Sequence, residues 1–540
     1  MRKYLIILLL LLGTAFLLPR KTVRAQNLED VQQLQKLVQV YRYLTGLYVD
    51  DVEMKPVVEG AIRGMLEELD PHSAYIDAEE MRGVQESFEG EFSGIGVEFN
   101  VLRDTVIVVN TIVGGPAEQV GVRANDRIVR IDTLSAVGMS RSDVPKYLRG
   151  KTGTKVEIDV VRQGTPGWLH FVIVRDKIPL NTVDAAYRIG NDIGYIKVNR
   201  FGQTTMEEFT KSYRKLNRPE KLILDLRGNG GGLLEQAIEM AGFFLPRGAT
   251  IVSTEGRAVP ASSFRAPVNG EDLRGQLVVL IDEASASASE IVSGAMQDWD
   301  RAVIVGRPSF GKGLVQRQIA LSDGSAVRIT VARYHTPSGR VIQRPYENGK
   351  RREYYLDHLR RYDDAVRDSL DADAPTFRTL RSGRTVHGGG GIRPDILVEA
   401  DTTGYSDYYA ELVRRGIVAE FVNDWLDRAR NSLSQSYPTF ESFDAGFEIS
   451  DELLDRLATL ADERGVKRDD KGLDISRDLL RIQLKALAAQ RLFGTEGYYR
   501  VVNPRLSPSY RRAVELLENW DTEGKPILEP KKEAPMFGAL

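Results

Sequence analysis

Not one of the 540 residues is a cysteine. Disulfides, thiolate zinc sites, a thiol nucleophile and a lipid-modified N-terminal cysteine are excluded together, so the folded parts must be held by their apolar cores. Histidine is almost as sparse, with five in the chain, at positions 72, 170, 335, 358 and 387. None stands beside the serine and glycine clusters described below, which leaves a Ser/His/Asp triad without local support. A surplus of charge is missing too: 73 Lys and Arg against 76 Asp and Glu leave a net charge of −3. Neither nucleic acid nor an acidic polymer is implied as a partner by that balance.

Long apolar runs are confined to the start, where Arg2 and Lys3 precede residues 4–18, followed by Pro19 and a polar stretch ending Val23-Arg24-Ala25. This is the layout of an export signal. The run falls short of the ~20 apolar residues that cross a bilayer comfortably, so residues 1–25 are expected to be a signal peptide removed after Ala25. The alternative is an uncleaved anchor in the inner membrane, since Arg20, Lys21 and Arg24 interrupt the approach to the cleavage site. Only then would a membrane be a partner.

What remains is the composition of ordinary soluble protein, 42% apolar and 28% charged, in a chain long enough for three or four domains at about 150 residues each. Residues 26–85 read as helices, with Val31, Leu34, Leu37, Val38, Tyr41 and Leu44 at three- and four-residue intervals until Pro71 ends the pattern. Over residues 86–178 the period changes to that of strands and glycine turns, as in Gly94-Ile95-Gly96-Val97-Glu98-Phe99 and Thr105-Val106-Ile107-Val108-Val109, which implies a compact β-rich module. From 179 to 400, apolar strands such as Leu222-Ile223-Leu224 and Leu277-Val278-Val279-Leu280-Ile281 alternate with helical stretches, as buried parallel strands do. Residues 401–540 return to a charged helical pattern and read as a peripheral helical domain, with a disordered tail around Glu523-Gly524-Lys525-Pro526. The expected fold class is multidomain α+β.

Chemistry concentrates in three places of the α/β region. The first is Asp225-Leu226-Arg227-Gly228-Asn229-Gly230-Gly231-Gly232, between a buried strand and a helix, where backbone amides can converge on an anion. It lacks the Lys-Ser/Thr ending of a P-loop and the spacing of a dinucleotide fingerprint. A structural turn and an oxyanion hole both remain as readings, and the second gains once a nucleophile is near. The second place is Ser285-Ala286-Ser287-Ala288-Ser289-Glu290-Ile291, again leaving a strand and entering a helix. One serine suffices for a helix cap, and three exceed that need. The third is Gly311-Lys312-Gly313-Leu314-Val315-Gln316. A serine hydroxyl needs a base, and a lysine supplies one only where burial disfavours its charge, lowering its pKa from about 10.4 to about 5 to 6 in deep sites. A lone lysine is ordinarily solvated; the glycine frame of Lys312 points the other way without deciding it.

These motifs resemble the carboxyl-terminal processing peptidases, or tail-specific proteases, over residues 30–400. In that family the middle serine of the first motif is the nucleophile and a lysine twenty-five positions on is the base; 312 − 287 = 25 selects Ser287 and Lys312. The resemblance implies that Gln316 orients the lysine, which requires a turn or bulge near Gly313. It also implies an oxyanion hole made by the N–H groups of Ala288 and Gly231, and a structural or minor catalytic part for Asp298. The core would be crotonase- or Clp-protease-like, with no metal and no cofactor. The β-rich module resembles an inserted PDZ domain. Gly94, Ile95, Gly96 and Val97 would form its carboxylate-binding loop, Val144 and Leu148 would face its groove or pack its core, and Arg149 would sense bound peptide or be an ordinary surface arginine. The implied activity is that of a serine endopeptidase acting on exported polypeptides held by their C-terminal tails, in the periplasm. The helical extension would recruit an adaptor protein or pair two copies as a homodimer. A non-enzymatic peptide-binding protein and a thioester-processing enzyme of crotonase fold are the competing readings.

Overall fold

The computed structural model describes residues 28–529 except 103, 113, 163, 268–273 and 361–373. The expected signal peptide at 1–25 lies outside the described residues. The chain divides into two units, 1–68 and 69–540. The first contains α1 (Leu28–Leu47) and α2 (Met54–Glu67), helices where the apolar spacing calls for them. The helical region expected over 26–85 therefore splits. Past Pro71 the chain pairs as a strand, β1 (Ala74–Ile76), before α3 (Ala78–Glu89), whose N-terminus is closed by a capping box between Asp77 and Glu80.

The β-rich module comprises β2 (Glu91–Gly94), β3 (Val97–Leu102), β4 (Thr105–Thr111), α4 (Pro116–Gln119), β5 (Arg127–Ile131), β6 (Leu134–Ser135), α5 (Val144–Leu148), β7 (Lys155–Val161), β8 (Leu169–Val174) and β9 (Asp176–Pro179). Its sheet runs β3-β4-β5-β7-β8, with β6 on β5, and β2 pairs with β9 where the module joins the body. Ile128, Ile131, Val156, Ile158 and Ile173 fill a core of its own. β3 stands at the sheet's end, with one edge unpaired.

The body continues with β10 (Val183–Ile189), β11 (Ile193–Val198), α6 (Thr205–Lys215), β12 (Lys221–Asp225), α7 (Leu234–Phe244), β13 (Thr250–Glu255), β14 (Ser262–Arg265), β15 (Gln276–Ile281), α8 (Ala288–Asp298), β16 (Val303–Gly306), β17 (Leu314–Ala320), β18 (Ala326–His335), α9 (Arg351–Arg360), β19 (Thr376–Arg378), β20 (Thr385–His387) and β21 (Ile396–Leu397). A six-stranded sheet runs β10-β11-β12-β15-β16-β21, parallel throughout except at β10/β11. Its strands are apolar on both faces because helices cover both. Ala237, Met240, Val292 and Met296 of α7 and α8 pack one face. A second sheet, β1-β18-β13-β14 with β17 on β18, stands beside it.

The C-terminal helices are α10 (Asp407–Arg414), α11 (Ile417–Ser436), α12 (Phe440–Gly446), α13 (Asp451–Glu463), α14 (Asp470–Ile475), α15 (Arg477–Leu506, kinked at Gly494), α16 (Pro508–Glu518), a π-helical turn (Trp520–Gly524) and α17 (Lys525–Leu528). They share a core of Leu412, Leu426, Phe443, Leu457 and Leu480. Two expectations need correction here. The region is not wholly peripheral, because Tyr510, Ala513, Leu516 and Leu517 of α16 pack against Tyr195, Ile223, Val278 and Leu280 and cover the parallel sheet's second face. Nor is the chain disordered at Glu523–Pro526, which is helical; Trp520, Ile527 and Leu528 on either side pack onto that same cluster.

Candidate active site

β12 and β15 are parallel neighbours, so the glycine run after one and the serine cluster after the other emerge side by side at their carboxyl ends, the usual place for a site in such sheets. Two of the three serines stitch the loops together. Ser285 Oγ donates to the Leu226 carbonyl at 2.9 Å, and Ser289 Oγ to the Asn229 carbonyl at 2.8 Å. Ser287, at the N-cap of α8, is the one serine of the cluster that lines the cleft. Its φ of 56° is left-handed, a conformation that costs a non-glycine residue about 1–3 kcal/mol and must be held by its surroundings.

Glu290 is the holder. Fully buried one turn into α8, its carboxylate accepts Ser287 N–H at 2.8 Å, Gly311 N–H at 2.7 Å, Lys312 N–H at 2.9 Å and Ser309 Oγ at 2.5 Å. Burial pushes its pKa up, and the four donors oppose that by favouring the ionised form. One side chain thus fixes the turn carrying the serine to the loop carrying the lysine. That loop fits only with glycines: Gly311 has φ 85°, and a Cβ there would lie 2.4 Å from Arg344 Cγ. Tyr334 Oη, buried beneath, donates to the Ser287 carbonyl at 3.3 Å and also bonds the Lys312 carbonyl.

Lys312 lines the same cleft, of about 550 Å³. Among the described residues its amine has neither a hydrogen bond nor an ion pair. Its pKa is lowered chiefly by burial and next by the positive charge of Arg328, against opposing pulls from Glu290 and Asp70. Each cause is what a neutral general base requires. Gln316 shares the cleft, and the strand does bulge, between Val315 and Gln316. Its Nε2 donates to the His72 carbonyl at 2.8 Å, so it ties the Asp70–Ser73 turn to β17, and no hydrogen bond joins it to Lys312. His72 stays neutral, since burial lowers its pKa to about 4.

At the expected oxyanion hole, Ala288 opens α8 with no acceptor for its N–H among the described residues. Gly231 abuts Ser287, where a Cβ would lie 2.9 Å from Ser287 Cβ. Its N–H, however, turns back to Asn229 Oδ1 at 2.9 Å, and the Gly230 and Gly232 amides are the ones left without an acceptor. Asp298 pairs with the fully buried Arg340 at 2.7 Å and receives Ser338 N–H at 2.8 Å, contacts that brace the far end of α8. In the β-rich module, Gly94 ends β2, Ile95 is buried, Gly96 has φ 76° and Val97 opens β3. Val144 and Leu148 lie in the module's core. Arg149 pairs with Glu86 and stacks 4.4 Å over Phe92. Among the described residues no group of three or more His, Asp or Glu is arranged to hold a metal ion.

Sequence reasoning gave no role to Glu290, Tyr334 or Arg328. The available signal for Glu290 was an acid at the start of an otherwise small and apolar helix. Asp225 and Arg227 form a second network it passed over: Asp225, fully buried, is held well below the usual carboxylate range by Arg227 and Lys197. Arg227 reaches on to Asn503 at 3.2 Å and Ser509 at 3.1 Å, joining the end of β12 to the C-terminal helices.

Comparison with known proteins gives four matches along the chain. A model of peptidase family S41 matches residues 192–347, and a PDZ domain matches 93–168. The N-terminal domain of the activating protease CtpB matches 18–80, and a family of unknown function matches 408–494. A carboxy-terminal-processing protease of Bartonella bacilliformis is 37% identical over 340 residues, 62% of this chain and 78% of that protein. The carboxy-terminal processing protease CtpB of Bacillus subtilis is 33% identical over 328 residues, 60% of this chain and 68% of that protein. Among solved structures, the photosystem II D1 C-terminal processing protease is 31% identical over 57% of this chain and 84% of its own, with a TM-score of 0.34.

Proposed function

Since the chain belongs to the carboxy-terminal processing serine proteases of peptidase family S41 and carries a PDZ domain, we propose that it cuts exported polypeptides with Ser287 as nucleophile and Lys312 as general base. The observation that carries this reading is the Lys312 amine: half-buried, without a hydrogen bond or ion pair among the described residues, and lining one cleft with Ser287, whose neighbours Ser285 and Ser289 are spent on backbone carbonyls.

Neutral Lys312 takes the proton of Ser287 Oγ as the oxygen attacks the scissile carbonyl carbon. The tetrahedral oxyanion is held by the Ala288 N–H and by an amide of the glycine run. Gly231 serves if its bond to Asn229 is exchanged for one to substrate; Gly230 and Gly232 need no such exchange. Collapse breaks the C–N bond, and the Lys312 ammonium returns its proton to the leaving amine. Water, deprotonated by the same lysine, then releases the acyl group. Upstream, the tail of a substrate adds as a strand to the open edge of β3, its carboxylate at the Gly94–Val97 loop. The segment at 1–25 supports export, and among the described residues no helix is long and apolar enough to cross a membrane. The helices after residue 401 are the natural place for an adaptor or a second copy to dock.

Peptide cleavage by the purified protein, compared with Ser287→Ala and Lys312→Ala, tests the dyad. A fall of about 10³-fold or more is expected in each, since nucleophile and base act as a unit. Cleavage at the wild-type rate in both would remove the dyad.

A further inference from the structure

Beyond the dyad, the floor of the cleft is a polar row on one strand pair. β17 and β18 are antiparallel, with Gln316 opposite Thr330 and Gln318 opposite Arg328. Gln316, Gln318 and Arg328 line the cleft that holds Ser287 and Lys312. At about 3.3 Å per residue, Gln318 and Arg328 lie about 7 Å past Gln316, a step of two residues for an extended chain laid along them.

Arg328 is half-buried and poorly satisfied. One hydrogen bond reaches it, from Nη2 to Gln318 Oε1 at 3.2 Å, and among the described residues it has no ion pair. The Gln318 amide is itself set in place by Nε2 donating to Met81 Sδ at 3.1 Å, which leaves Oε1 for the guanidinium. Neither acid buried at the site is free to neutralise it. Asp70 is spent on the His72 and Ser73 amides, Ser73 Oγ and Thr330 Oγ1, and Glu290 on its four donors. Glu235, at the start of α7, lines the cleft without pairing with Arg328. Burial presses the Arg328 pKa down, so the charge is held at a cost that a bound anion would relieve. A guanidinium offers five donors in a planar fork that matches a carboxylate, and four of them are unused here.

We propose that Arg328 binds a carboxylate of the substrate polypeptide inside the catalytic cleft, about two residues from Gln316, so that acidic substrates are cut preferentially. The carboxylate is either an Asp or Glu side chain or the free end of a short tail. This rests on Ser287 and Lys312 being the dyad, and it adds a charge requirement to a cleft whose apolar wall is made by Phe88, Leu233, Leu234, Ile291 and Leu314.

The test uses the full chain and two sets of matched peptides. One set exchanges Glu for Gln at each position within three residues of the cut. The other compares a free C-terminal acid with its amide. In the wild type, one pair should show kcat/KM at least about tenfold higher for the acidic member, as one charge-assisted pairing allows. Arg328→Gln should bring that ratio near unity, and Arg328→Lys should keep part of it. The ratio is read within one preparation, so a variant that folds incompletely still reports it. Which set shows the preference identifies the source of the carboxylate. A wild type indifferent in both sets, or a preference that survives Arg328→Gln, overturns the proposal and leaves the dyad standing. Cleavage that survives Ser287→Ala overturns the dyad instead.

Discussion

Lys312 carries a penalty that its proposed role as base accounts for. Its folded pKa lies below the ordinary 10.5 because burial and Arg328 disfavour the ammonium. In the unfolded chain the amine is solvated and takes up its proton freely, so folding is disfavoured at every pH where the unfolded lysine is charged. The penalty is full below the folded pKa and vanishes as pH rises past 10.5. Lys312→Met removes the charge and keeps the volume, and should raise the melting temperature by a few degrees near neutral pH while abolishing cleavage. Melting curves at pH 7 and near pH 10.5 check this: the gain should shrink toward the higher pH. A variant less stable than wild type at pH 7 would contradict a lysine charged at a cost in the cleft.

Between elements, the proposed dyad depends on how the N-terminus of α8 meets the loop before β17. No strand joins them. They are held by the Glu290 carboxylate, which accepts from both, with Tyr334 Oη and the Phe310 N–H to Ser285 carbonyl bond beside it. Glu290→Gln would turn an NH₂ toward two of those donors, replacing attraction by an N–H to N–H conflict. The left-handed Ser287 would lose its support and the lysine loop its register. Cleavage is expected to fall about 10²-fold, the scale of a 1 Å misplacement of reacting groups, while KM moves little. Steady-state kinetics with far-UV circular dichroism decide it; a normal kcat in a folded Glu290→Gln variant would remove Glu290 from this role. The same meeting shows what spacing can and cannot reveal. The serine cluster at the start of a helix marked a special turn, and resemblance selected Ser287 within it, but that Ser285 and Ser289 are spent on the Leu226 and Asn229 carbonyls followed only from the structure. The bulge that brings Gln316 into the cleft came with a partner, His72, that lies 244 positions away in the chain.

Across the molecule, the last helices are part of the catalytic body's own core. Leu516 and Leu517 are fully buried in one cluster with Tyr195, Ile223, Val278 and Leu280, from strands far earlier in the chain. Leu517→Ala should cost about 2–5 kcal/mol, and the loss should appear in the unfolding of the parallel sheet as well as of the helices. Denaturant unfolding followed by the cleavage assay tests this. Activity that persists through the transition of the C-terminal helices would show the two to be independent.

The strand and helix periods and the glycine and serine motifs were legible in the residues because each is local: alternation, the 3.6-residue repeat and a short motif need no partner to be read. The covering role of α16 was not, since an amphipathic helix looks the same whether its apolar face meets a neighbour helix or a distant sheet. The direction of the Gly231 amide was equally hidden, because it depends on one side-chain oxygen, Asn229 Oδ1. Nor could residue types say that Lys312 and Arg328 would both lack an ion pair among the described residues, for that is a property of every group packed around them. Sequence determined which chemistry was available; packing decided which groups were left unsatisfied to perform it.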